Sequence, residues 1–434
     1  VENLGPAGHN CPKNTRRRRS IDLMHVKNPG HLQCPSRPAI IGISLLWLRP
    51  IVASGWACRR LPTAHSDAHI IRASSPFPEV GNPVMDTVAR RHVAAWLLVC
   101  SAMVFAILVV GGVTRLTHSG LSIVEWQPIV GVIPPLDQAQ WEETFEKYRQ
   151  TPEYLQVNHR MTLDEFKGIF FWEYVHRVLG RLIGVVFLLP LLYFWWRGKL
   201  EPALVPKLVG IFLLGGLQGA MGWYMVKSGL VDDPRVSHYR LTAHLSLAFL
   251  IFIAMFWVAL DLLSPGRGTT HDAAVRRLQR TGFWLTVLVG YMVVSGGFVA
   301  GIRAGKAYNS FPLMNGHVLP PESFIIDPWY LNFFNNMALV QFDHRLGAWL
   351  LVFFVPWLWW KTRRAAVSNR ARLAVALLLL GVFAQIGLGI ATLLLAVPVA
   401  LGAAHQGGAM VVLALLLWLN HELRLPQYAS GHAR

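Results

Sequence analysis

Four histidines stand near the starts of four separate apolar runs, in two matched pairs. His176 lies in WEYVHRVLGRL and His344 in VQFDHRLGAWL, while His244 lies in RLTAHLSLA and His405 in LGAAHQGGA. An imidazole left without a partner inside a bilayer is costly, so each one is a functional candidate. A single such residue is as readily a polar group satisfied by a neighbouring helix. Four at equivalent places argue for two sites of two imidazoles each. Zinc ordinarily draws three or four protein ligands, which would require more His, Cys or carboxylate in each half of the chain. Two histidines per site suit the axial positions of a haem iron.

The pairs differ in one companion residue. Three positions before His176 stands Glu173; three before His344 stands Gln341. That spacing puts each on its histidine's face of a helix. A carboxylate in an apolar pocket beside a haem can take up protons or stabilise a cationic intermediate, and a glutamine does neither. The first half is therefore expected to host chemistry and the second to hold a permanent haem that passes electrons. The plainer alternative is a glutamate that only accepts hydrogen bonds. Asp343 points to another face and reads as structural.

Arg177 and Arg345 directly follow a histidine, and Arg240 precedes His244 by one turn. Guanidinium groups at this level are candidates for bidentate bonds to haem propionates, or for anchors to lipid headgroups. Arg115 and Arg303 are weaker candidates of the same kind. Gly180, Gly184, Gly347, Gly402, Ala403, Ala404, Gly407 and Gly408 would let a flat macrocycle approach a helix backbone, or serve ordinary close packing in lipid.

Positioning these residues falls to membrane-spanning helices. Of 434 residues, 53% are hydrophobic and 15% charged, well below the roughly 25% charged of soluble domains. Apolar runs of about 20 residues, enough to cross a bilayer, are predicted near 93–113, 168–194, 206–226, 240–263, 279–301, 338–360, 371–395 and 399–420. Basic residues concentrate before the first run and in alternate loops: Arg90 and Arg91; Arg197, Lys199 and Lys207; Arg267, Arg276, Arg277 and Arg280; Lys361, Arg363, Arg364, Arg370 and Arg372. By the positive-inside rule these loops and both termini face the cytoplasm. The even-numbered spans then run inward, and all four histidines fall within roughly their first two turns, toward the outer face. The formal net charge of +17 follows from this distribution and from a basic tail, so a nucleic-acid partner is excluded.

The second half echoes the first. EYVHRVLGRL matches FDHRLGAWLL, LQGAMGWYMV resembles AQIGLGIATL so that Gln218 aligns with Gln385, and GGVTRLTHSGL has a counterpart in GGFVAGIRAGKAYNSFP. His176, Gln218 and His244 recur in order as His344, Gln385 and His405 at similar offsets. Four spans per copy make this a parallel repeat, unlike the inverted repeats of many transporters. The expected fold is an all-α integral membrane protein, with eight transmembrane helices as two tandem pseudo-symmetric four-helix bundles. Such bundles build cofactor sites between facing helices. The expected divisions are an extension at 1–84, a first bundle at 85–263 and a second at 264–434.

The extension carries RRRR at Arg16–Arg19 and an apolar stretch interrupted by Arg49-Pro50, which argues against a span. It reads as a disordered segment or a mis-assigned gene start, with MDTVARRHVAAW from Met85 as the natural beginning. It also holds Cys11, Cys34 and Cys58; the fourth cysteine, Cys100, lies in the first span. No loop carries a cysteine pair, so neither an outward-facing disulfide nor a thiolate metal site is expected.

From Val93 to Leu423 the sequence resembles the haem A synthase family. The motifs are GGVTRLTHSGLSIVEWQPIVGVIPP, NHRMTLDEFKGIFFWEYVHR, AYNSFPLMNG and QFDHRLGAW. The NHRMTLDEFKGIFFWEYVHR run resembles the proteobacterial and mitochondrial branch, and the lack of a cysteine pair in the first outer loop agrees with it. The resemblance implies oxidation of a methyl group of haem O to a formyl, giving haem A for cytochrome oxidase assembly. It also implies His176 and His244 as ligands flanking substrate haem O, His344 and His405 as iron ligands of a haem b cofactor, and Glu173 as the catalytic carboxylate. A bis-histidine iron has no open position, so either one ligand moves away for oxygen to be activated there, or electrons leave the porphyrin and water supplies the new oxygen; the second is the expected route. Implied partners are haem O, the haem O synthase (a protohaem farnesyltransferase) that supplies it, an electron donor or acceptor the sequence does not identify, the bilayer and a homo-oligomer. The implied location is a bacterial inner membrane, with the haem sites toward the periplasm.

Two other readings compete. A di-haem b-type electron carrier would have no need of the Glu173/Gln341 difference. A transporter built on a parallel repeat would favour charged or broken helices at mid-membrane, and the spans show few such charges.

Overall fold

The computed structural model describes residues 85–125, 130–231, 234–265 and 272–424. The extension at 1–84, its three cysteines and Arg267 lie outside the described residues. The chain opens with α1 (Thr87–Leu116), then α2 (Gln138–Arg149), α3 (Pro152–Gln156) and α4 (Leu163–Trp196). There follow α5 (Val205–Lys227), α6 (His238–Leu263), α7 (Ala273–Gly301), α8 (Asn332–Asn335), α9 (Met337–Arg364), α10 (Asn369–Leu394) and α11 (Val399–Glu422). Eight of these, α1, α4, α5, α6, α7, α9, α10 and α11, are long and apolar enough to cross a membrane. Among the described residues no strand forms, as an apolar solvent demands when every backbone group must be satisfied within its own segment. The all-α, eight-span expectation holds.

One boundary differs in a way that matters. The apolar pattern places the second span from 168, but α4 begins five residues earlier at a reciprocal cap. The Thr162 side chain accepts from Glu165 N, and Glu165 Oε2 accepts from Thr162 N at 2.8 Å. These bonds satisfy two of the donors that a helix start leaves open. His176 therefore sits roughly four turns into its helix, not two. The added residues carry Phe166, which with Phe170 packs against Tyr148 of α2 and Tyr154 of α3 in an aromatic cluster over this end of the molecule. His244, His344 and His405 do lie about two turns into α6, α9 and α11.

Packing follows chain order. Around the first half, α1 packs on α4, α4 on α5, α5 on α6 and α6 on α1; around the second, α7 packs on α9, α9 on α10, α10 on α11 and α11 on α7. Within each ring the two histidine-bearing helices, α4 with α6 and α9 with α11, are diagonal partners. The halves meet through α1, α6, α7 and α11. Val93, Leu97 and Cys100 of α1, Met255 and Val258 of α6, Val289 of α7, and Met410 and Leu413 of α11 are buried there. By contrast, Leu213 and Leu217 of α5 and Phe353 of α9 are exposed, as faces solvated by lipid would be. A polar bond crosses the junction beside His405, from Gln406 Nε2 to Leu108 O at 2.8 Å.

Candidate functional site

Each histidine meets a glycine on a neighbouring helix. A Cβ built on Gly111 of α1 would stand 3.0 Å from His176 Nε2, and one on Gly222 of α5 would stand 3.0 Å from His244 Cε1. In the second half, a Cβ on Gly296 of α7 would stand 3.1 Å from His344 Cε1, and one on Gly389 of α10 would stand 2.7 Å from His405 Cε1. The four imidazoles thus occupy space that any larger residue would take. The glycines on the histidine helices do other work. Gly347 faces Met292, Gly402 faces Leu116, Gly407 faces Val109, and Gly184 meets nothing within 4 Å. The first three are close-packing positions, while Gly184 borders open space.

Polar side chains then set the rings' rotation. Gln385 Nε2 donates to His405 O at 2.8 Å and lies 3.1 Å from His405 Nδ1. Gln218 Nε2 likewise donates to His244 O at 3.1 Å and lies 3.4 Å from His244 Nε2. The two glutamines that align between the halves therefore grip the same histidine in each. Ser295 Oγ lies 2.9 Å from His344 Nδ1 and donates to Met292 O at 3.3 Å. An Nδ1–H held by Ser295 would leave His344 Nε2 with its lone pair free for a metal.

The separation of the rings tests the ion they suit. The His344 and His405 ring centroids are 6.4 Å apart and the rings are nearly perpendicular, at 78°. With imidazole–metal bonds of about 2 Å, two imidazoles on opposite sides of one ion have centroids roughly 6.4 Å apart, whereas two on a tetrahedral ion approach to about 5 Å. The second pair has the span of trans axial ligands. His176 and His244 lie within electrostatic range of each other across the first ring. Among the described residues no group of three or more His, Cys, Asp or Glu converges as a metal site, so each histidine pair stands without a third such ligand.

The companion residues differ from expectation in their surroundings. Glu173 is buried, but its pocket is not apolar. Oε2 accepts from Ser122 Oγ at 2.8 Å and from Ile123 N at 2.9 Å, while Oε1 accepts from Arg177 Nε at 3.0 Å and Nη2 at 2.6 Å. Four donors converge on one carboxylate. Gln341 occupies the corresponding frame: its Oε1 accepts from Arg345 Nη2 at 2.7 Å, while its Nε2 donates to Ala304 O at 2.7 Å. The arginine partner recurs, and the loop partners switch from donors in the first half to an acceptor in the second. That switch matches a carboxylate in one place and an amide in the other.

The arginines offered to propionates have protein partners. Arg177 also donates to Ile123 O at 2.7 Å and Glu125 O at 3.2 Å, and Arg345 donates to Tyr308 O at 2.9 Å. Arg240 stacks on the Tyr224 ring at 3.7 Å and donates to Tyr224 O at 2.8 Å. Arg115 Nη2 reaches Ala300 O at 3.3 Å, at the carbonyl end of α7, where a cation complements the helix dipole. Arg303 Nη2 lies 3.4 Å from His118 Nδ1. His118 and Arg303 both have left-handed backbones (φ of 57° and 59°), and each follows the histidine-facing glycine, Gly111 or Gly296, by the same number of residues.

Sequence reasoning missed the four neighbouring glycines, Ser295 and Ser122, and it aligned Gln218 with Gln385 without giving either a task. The repeated GG pairs at 111–112 and 296–297 and the aligned glutamines were the available signals.

Residues 94–417 match the family described as cytochrome oxidase assembly protein, COX15-CtaA. The chain is 62% identical over 335 residues to a haem A synthase of Nitrosospira multiformis, covering 77% of this chain and 94% of that one. It is 56% identical over 347 residues to a haem A synthase of Nitrosomonas eutropha, covering 79% and 98%. It is 44% identical over 342 residues to the haem A synthase COX15 of Bos taurus, covering 77% and 83%.

Proposed function

This chain belongs to the cytochrome oxidase assembly protein family, and on that premise we propose which of its residues carry the activity. It is an oxidoreductase of haem A synthesis, converting haem O to haem A by oxidising a methyl group to a formyl. It is a multi-pass membrane protein that takes a haem as substrate. In our reading residues 85–263 form the substrate bundle, in which His176 and His244 flank the iron of haem O. Residues 264–434 form the cofactor bundle, in which His344 and His405 hold haem b. When bound, haem b supplies one-electron redox chemistry; the protein's part is to fix both imidazoles through Ser295, Gln385 and the clearance at Gly296 and Gly389.

Glu173 is the catalytic carboxylate of this reading. Held by Arg177, Ser122 and Ile123 N, its carboxylate is fixed one helical turn from His176, where electron loss from the substrate macrocycle builds positive charge. A preorganised charge of that kind stabilises a developing cation without reorganising. Arg177 and Arg345 act first as anchors for residues 173 and 341, and Arg240 for the Tyr224 segment. A propionate role for the three is left to the edges their protein partners do not use. In this reading the histidines lie toward the periplasmic side of the inner membrane, which the basic loops at the opposite end support. Haem O would arrive from its synthase, the protohaem farnesyltransferase.

The single observation that carries the reading is the Glu173/Gln341 difference inside a matching arginine frame. A di-haem electron carrier has no use for it. The test is to co-express the chain with a source of haem O and extract the pigments. Haem A in the extract supports the reading; b-type haem alone, with haem O unchanged, would remove it.

A further inference from the structure

A second buried glutamate of the first half stands in very different company. Glu153, on the short helix α3, is 4% exposed, and Tyr148 beside it is fully buried. Among the described residues its carboxylate accepts one hydrogen bond, a long one of 3.5 Å from Tyr148 OH, and that hydroxyl accepts in turn from Asn158 Nδ2 at 2.8 Å. The charged groups that act on Glu153 are Glu173 of α4, Arg115 at the end of α1 and Arg303 after α7. Among the described residues no cation forms an ion pair with it in the way Arg177 does with Glu173. Leu155, two residues on, is 63% exposed.

The two carboxylates are therefore suited to different tasks. Glu173, with four donors, is held as a fixed acceptor. Glu153 has burial, the nearby Glu173 charge and one weak donor, a combination that favours its neutral acid. Burial first, then repulsion from Glu173, raises its pKa from 4.5 to about 7, against smaller lowering by Tyr148, Arg115 and Arg303. A group poised there exchanges protons readily near neutrality. The second half has a Tyr–Glu pair as well, but Tyr308 donates to Glu322 and holds that carboxylate below its usual range.

We propose that Glu153 is the proton-exchanging carboxyl of the first site, taking up a proton released beside Glu173 and returning it to the outer aqueous phase. Removing electrons and hydrogen from a methyl group leaves protons to be carried away, and both Glu173 carboxylate oxygens are already engaged by four donors. In each cycle an O–H bond forms on the Glu153 carboxylate and then breaks toward the outer water; no electron moves in this step. Glu153 touches none of the reacting atoms and is a relay, not a catalytic residue. The inference rests on the placement of substrate haem O in the first half.

The test uses the full-length, haem-loaded protein in membranes. Haem A formation should rise with pH through a limb near 7, because the relay needs the ionised carboxylate. Glu153→Gln should abolish that limb and slow turnover at least tenfold while haem content stays unchanged. Tyr148→Phe, which removes the one donor to the ionised form, should move the limb to higher pH. Infrared difference titration of the wild-type protein should show a protonated carboxyl lost near pH 7. If wild type shows no such titration, or if Glu153→Gln keeps the limb, the relay is overturned even should that variant express poorly. If Glu173→Gln leaves haem A formation intact, the placement of the substrate site has failed instead.

Discussion

Replacing Glu173 by glutamine is the sharpest perturbation, because the second half shows what this frame does with an amide. With its oxygen left on Arg177, the new amide nitrogen would face Ser122 Oγ and Ile123 N, now 2.8 and 2.9 Å from Glu173 Oε2. The serine hydroxyl can turn and accept. The backbone N–H cannot, so a buried donor is left unmet at a cost of about 1–3 kcal/mol. Arg177 loses its ion pair but keeps two loop carbonyls, at 2.7 and 3.2 Å, which limits that loss to about 1–2 kcal/mol. The sum, about 2–5 kcal/mol, should lower the melting temperature by roughly 5–15 °C without dissolving the fold. The histidines keep their glycine and glutamine neighbours, so haem binding should persist. Haem A formation should stop. The assay is thermal unfolding, a reduced-minus-oxidised haem spectrum and pigment extraction on one preparation. Haem A at the wild-type rate, or loss of bound haem alongside the activity, would refute the assignment of a fixed charge to Glu173.

Three further outcomes follow from the geometry. Gly389→Ala places a Cβ 2.7 Å from His405 Cε1, so the imidazole must shift; the absorption spectrum and occupancy of the haem proposed for the second site should change, while Gly210→Ala on α5, where a Cβ meets nothing within 4 Å, leaves both intact. Glu153, whose pKa rises from 4.5 to about 7 on folding, contributes stability that is full below about pH 4.5 and lost as pH rises through 7. At pH 8 its ionised form costs up to roughly 3 kcal/mol, so Glu153→Gln should melt higher than wild type at pH 8 and no higher at pH 5; an equal gain at both would falsify the sign. If both imidazoles of the proposed first site stay on the iron, turnover in isotopically labelled water should place the label in the formyl oxygen, and unlabelled haem A would sink water as the oxygen source.

By itself the sequence determined the eight spans, because an apolar run in lipid has no option but to satisfy its backbone as a helix. It also determined the four histidines and the Glu173/Gln341 contrast, since chemistry-bearing residues are conspicuous against an apolar background. The cap at Thr162–Glu165 was legible too, but it lies outside the apolar run and so escaped a reading based on hydropathy. Only the tertiary structure decided which helices are neighbours, and most of the site depends on that. Gly111, Gly222, Gly296 and Gly389 read as ordinary membrane glycines until they are found against imidazoles from other helices. Gln218 and Gln385 aligned without a task until each closed on a histidine. Ser122 and Arg177 turned a supposed apolar pocket into a frame of donors. Glu153 was one more acid in an outer loop until the aromatic cluster of α2, α3 and α4 buried it. Helix formation in a bilayer is set by residues close along the chain, whereas a side chain's charge state and reach are set by what packs against it from far along the chain.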